Sequence, residues 1–119
     1  MAFPFTPSNQ TATGAAGVLT LTIPATAGSY CYCTGFAITG LGATAASGVT
    51  ATLTGVSTTP LNYSIPVPAG VTAGITPLVV KFPLPLQSTA VNTAIVLSIP
   101  SFGAGNTLAS ASMTGYIEE

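Results

Sequence analysis

From Val18 to Ile23 the chain alternates, with Leu19, Leu21 and Ile23 apolar and Thr20 and Thr22 polar. That two-residue period predicts a strand with one buried and one solvent-facing side, closed by Pro24. Val49 to Thr54 repeats the device, with threonine filling the outward positions, where its β-branch suits a strand and its hydroxyl meets water. Leu61, Tyr63 and Ile65 alternate with Asn62 and Ser64 until Pro66 and Pro68, which confine that strand to an edge or end it there. Between these, Tyr30 to Ile38 predicts a strand with a bulky face of Tyr30, Tyr32, Phe36 and Ile38. Its opposite face holds the small Cys31, Cys33, Gly35 and Ala37.

Two further runs, Leu78 to Phe82 and Ala94 to Ile99, are almost continuously apolar, the pattern of strands covered on both sides in a core or an interface. Leu108 to Ile117 alternates small residues and closes the series, while Gly40 to Ala43, Pro68 to Gly74 and Ser101 to Asn106 read as turns or loops. No dozen residues keep a helical period free of glycine or proline. The sum is an all-β chain of seven to eight strands, a single antiparallel β-sandwich or jelly roll over residues 17–119.

Residues 1–16 stand outside that pattern. Phe3 and Phe5 flank Pro4, Pro7 follows, and Ser8 to Gly14 is polar without an apolar period. Such an extended N-terminal arm is either a loose end or a segment whose aromatics dock in a neighbour's groove. Phe3, Pro4 and Phe5, together with Tyr30 and Tyr32, are therefore the candidate partner-binding residues.

Charge changes the picture most. The 119 residues include one cation, Lys81, two acids, Glu118 and Glu119, and no Arg, Asp or His. At 3% charged residues against about 25% in ordinary soluble domains, the chain lacks the groups that catalysis uses. No serine or threonine has a histidine base or an internal carboxylate to activate it. The two glutamates are consecutive at the terminus, so no pair of opposed carboxylates exists for glycoside chemistry. Gly14-Ala-Ala-Gly17 and Gly103-Ala-Gly105 lack the Lys-Ser/Thr of a phosphate loop. A single lysine gives no footprint for nucleic acid, whose binding draws on many cations. Lys81 instead reads as the outward or edge-protecting charge of a strand. No enzyme activity, cofactor or metal is expected.

Cys31 and Cys33 fall on one face of one strand, their Cβ atoms ~7 Å apart, well beyond the ~3.8 Å of a disulfide. They read first as free, buried, compact apolar groups, with bridges between subunits as the other possibility. A composition of 48% hydrophobic residues argues for a folded core. Glycine, proline, threonine and serine interrupt every window that a spanning helix of about 20 apolar residues would need, so no membrane contact is expected. The first residues carry no basic region followed by an apolar run, so no Sec-type signal is expected there.

Val67-Pro-Ala-Gly-Val-Thr-Ala-Gly-Ile-Thr-Pro-Leu78 and Ala90-Val-Asn-Thr-Ala-Ile-Val-Leu-Ser-Ile-Pro-Ser-Phe-Gly-Ala-Gly-Asn-Thr107 resemble small uncharacterised proteins encoded in tailed-phage and prophage structural regions. Tyr32 to Ala46 resembles the same type. The resemblance covers roughly the C-terminal half and brings no catalytic residue. It implies a virion component on the capsid surface, a decoration or cement protein whose partner is the major capsid protein. A host-binding module of a tail tip, fibre or baseplate is the alternative, and an exported fibre or matrix subunit a third. With so little charge to keep its apolar strands solvated, the chain is expected to be a homo-oligomer, a trimer at a threefold shell site.

Overall fold

A computed structural model describes residues 5–7, 10–14, 18–70, 74, 75, 77–105 and 108–118. Seven antiparallel strands build two packed sheets, as the alternation predicts. β3 (Leu19–Ile23), β8 (Ile95–Ile99), β5 (Ser47–Thr54) and β6 (Leu61–Val67) form one sheet in that spatial order. β9 (Leu108–Glu118), β4 (Cys31–Leu41) and β7 (Leu78–Gln87) form the other. Within the first sixteen residues, β1 (Phe5–Pro7) and β2 (Gln10–Gly14) pair antiparallel along the free side of β9. Only the β5–β6 connection stays within a sheet; every other link between the seven strands crosses from one sheet to the other.

The crossings place alternate residues of both sheets in one shared core. Leu19, Leu21 and Ile23 of β3 meet Ile95, Leu97 and Ile99 of β8 in direct register, all of them buried. Thr20 and Thr22 face outward, as their alternation requires. β6 is an edge strand, and Pro66 sits in it opposite Gly48 without breaking the ladder. An edge position tolerates a residue with no N–H to donate.

β4 departs from its expected faces. Cys31 and Cys33 are buried, and so are Phe36 and Ile38, because Thr34 is an extra residue that reverses the parity of the strand. Opposite β9, Cys33 pairs with Gly115 and Gly35 with Thr114, so β4 spends two residues where β9 spends one. A β-bulge has this effect, sending side chains on either side of it to the same face. Tyr32 and Ala37 accordingly lie on the outer face, while Phe36 packs edge-on against Tyr63 of β6, ring centroids 5.0 Å apart.

Three other expectations are corrected. Gly40 and Leu41 belong to β4, and the chain turns after them at Gly42, φ +97°. Within the single chain β7 is not a core strand: it lies at the edge of its sheet with Val79 59% exposed. β8 lies inside its sheet but buries one face only, with Val96 and Ser98 half-buried on the other. β7 also bulges, since Lys81 pairs with Gly35 and Leu86 with Cys33, leaving Phe82 to Pro85 to arch over Thr34. Pro83 and Pro85 cannot donate to a ladder, which blocks this edge from templating another strand.

Gly115 shows how closely the sheets and strands approach. A Cβ there would collide with the Tyr32 carbonyl oxygen and lie 2.6 Å from Ile23 Cδ1 of the facing sheet. Gly48, by contrast, has open space around it. Gly115→Ala is therefore expected to destabilise the fold by about 1–3 kcal/mol, and Gly48→Ala to stay within about 0.5 kcal/mol of the parent. Denaturant melts of the two variants check this, and equal midpoints would contradict the packing described.

Candidate functional site

Among the described residues, the outer face of β9, β4 and β7 gathers Tyr32, Tyr116, Lys81 and Glu118. Tyr32 and Tyr116 are directly opposed across β4 and β9, and their rings stack with centroids 4.8 Å apart and planes 18° from parallel. On the other side of Tyr32, Gln87 of β7 donates from Nε2 to its hydroxyl oxygen at 2.7 Å. The Tyr32 hydroxyl in turn donates to Glu118 Oε2 at 3.3 Å. Desolvation raises the Tyr32 pKa above its ordinary value, and the Glu118 charge adds to the rise while the Gln87 hydrogen bond opposes it. A neutral phenol thus clasps three strands at one end of the sheet.

Along β4 from this clasp, the face becomes hydroxylic and then hollow. Thr34 and Thr114 hold their hydroxyls 2.7 Å apart, and Thr34 Oγ1 also donates to the Thr114 carbonyl at 3.1 Å. Beyond them lies a groove of about 350 Å³, walled by Val79 and Lys81 on one side and Ser112 and Thr114 on the other. Its floor is formed by Gly35 and Ala37 of the central strand. Lys81 is exposed at the rim, on an edge strand, as expected of it.

The outer face of the other sheet is paved differently. Thr20, Ser98, Thr52 and Asn62 stand in one row across all four strands, with Thr52 Oγ1 donating to Asn62 Oδ1 at 3.3 Å. Thr22, Val96 and Thr54 form the next row. Thr50 and Ser64 continue the face on β5 and β6, and none of these residues carries a formal charge.

Of the sequence-derived partner residues, Phe3 and Pro4 lie outside the described residues. Phe5 pairs through its backbone with Glu118, and Tyr30 is half-buried before β4 with its carbonyl accepting from the Glu118 N–H at 3.0 Å. Of the two whose side chains are described, Tyr30 and Tyr32, it is Tyr32 that stands in the aromatic cluster. Tyr116, Gln87 and Glu118 join it from other strands, and nothing in their local sequence marks them.

Cys31 and Cys33 are free thiols, both fully buried. Cys31 Sγ donates to the Pro24 carbonyl at 3.2 Å, and its backbone N–H donates to Ser88 Oγ at 3.1 Å. Ser88 is buried yet satisfied, for it also donates to the Ala90 carbonyl at 2.9 Å. Among the described residues no group of three or more His, Cys, Asp or Glu converges, and no helix is long and apolar enough to cross a membrane. No family model, curated protein or solved structure matches the chain.

Burial pushes both thiols above their ordinary value of 9.0. The unfolded chain sheds these protons first as pH rises, so their contribution is complete below about pH 8 and declines through the ordinary thiol range until the folded thiols ionise. Unfolding midpoints from neutral to alkaline pH should fall more steeply for the parent than for the Cys31→Ala/Cys33→Ala chain. Identical slopes would contradict the burial of the thiols.

Proposed function

We propose that the chain is a non-enzymatic virion subunit, a capsid decoration protein that binds the major capsid protein on the outside of a phage head and stabilises the shell. The observation that carries this reading is the uncharged four-stranded face, with Thr20, Ser98, Thr52 and Asn62 in one row. Hydroxyl and methyl groups give up water at modest cost, whereas each unpaired charge buried against a partner costs several kcal/mol or more. A surface of this chemistry suits repeated docking on many equivalent shell sites. The resemblance of the C-terminal half to phage structural-region proteins points the same way.

The tail-tip alternative needs an exposed aromatic platform for glycans. Here one face of each of the Tyr32 and Tyr116 rings is taken up by the other, so such a platform would have to use their opposite faces.

Immunogold labelling of purified virions from a host carrying the gene separates the readings: label over the head surface is expected. Label at the tail tip would support adhesion, and particles without the chain would overturn both. Thr52→Lys, in the middle of the uncharged face, is expected to weaken head binding roughly tenfold or more while leaving the melting temperature nearly unchanged. Undiminished binding would show that this face is not the contact.

A further inference from the structure

The outer face of β9, β4 and β7 carries a stacked tyrosine pair and a hollow side by side. The Tyr32–Tyr116 stack stands at the level of Tyr32 on β4. The groove over Gly35 and Ala37 opens beyond the bulge on the same strand. Val79 stands 59% exposed in the groove wall, an apolar side chain without cover in the single chain.

The two charged side chains that the described residues place on this face are divided the same way. Lys81, the only lysine, stands at the groove rim opposite Gly35, and Glu118 stands beside the tyrosines, bonded to Tyr32. β4 lies between their strands, which sets them ~9–10 Å apart across the sheet, with further separation along it. Within one chain the two do not meet; between two copies facing each other they can.

We infer that this face binds a second copy of the chain, the tyrosine pair of each copy seated in the hollow of the other and Lys81 of each opposite the other's Glu118. Among the described residues, tyrosine pair, hollow, cation and acid occur once each on this surface, which is the condition for an isologous contact, where residue i meets j and j meets i. A twofold axis lying in the interface and oblique to the strands relates the two. Such a contact closes at two copies instead of the three expected from the sequence. It leaves the threonine-rich face of the other sheet free, so it stands apart from the shell reading.

Carbodiimide coupling tests the contact with unusual clarity, because Lys81 is the only side-chain amine and Glu118 and Glu119 the only side-chain carboxyls. Heavy-isotope and unlabelled chains are mixed, coupled and mapped by mass spectrometry, and the same samples are sedimented at micromolar concentration. The expected result is a dimer that yields Lys81–Glu118 links joining heavy to light chains. Ala37→Gln, which fills the hollow from an outward position, is expected to weaken the dimer roughly tenfold or more without altering the circular dichroism. A monomer, a trimer, links confined to single chains, or an Ala37→Gln dimer of parent affinity would each overturn the inference.

Discussion

The bulge at Thr34 decides what this molecule buries and what it shows. Without it, Cys31 and Cys33 would face away from Phe36 and Ile38, and half of β4 would present apolar side chains to water. With one extra residue, all four enter the core between the sheets. The neighbouring strands adapt to that residue: β7 arches from Phe82 to Pro85, and β9 meets the bulge with Gly115, where no side chain fits. The same parity change turns Gly35 and Ala37 outward, so the groove on the outer face and the packing of the inner face share one cause.

The scarcity of charge then shapes everything outside the core. Sheet edges, commonly guarded by lysines and glutamates, are guarded here by Pro66 in β6 and by Lys81, Pro83 and Pro85 in β7. The outer face of the four-stranded sheet is finished in hydroxyl, amide and small apolar groups. Such faces stay hydrated in the free chain yet resist desolvation weakly, a balance that suits contacts repeated over an assembly.

Strand positions were legible wherever one face is buried, because a period of two is then imposed by the core: Leu19 to Ile23, Val49 to Thr54 and Leu61 to Ile65 all lie where their alternation puts them. The bulge was not. Cys31-x-Cys33 and Phe36-x-Ile38 each keep the period, and the slip between them is set by partners on β7 and β9 that lie far along the chain. Phe102, Ile75 and Ala43 were missed as core residues because they enter it from loops, where no period operates. The aromatic cluster was half legible: Tyr32 stood out locally, whereas Gln87 and Glu118 reach it across 55 and 86 residues of chain. Convergence of that kind depends on register, which a single strand's composition does not encode.

Contacts made by nearly uncharged faces should be almost indifferent to ionic strength, and this is the central physical claim. Screening acts on exposed charges over a Debye length of ~10 Å at 0.1 M salt, and an exposed ion pair contributes only about 0–1 kcal/mol. Under the proposed shell reading, the direct measurement is the dissociation constant of the chain from phage heads, bound through its threonine-rich face, across sodium chloride from low to molar concentration. The account predicts a change of no more than a few-fold over the whole range. A steep, monotonic loss of binding with salt would contradict it.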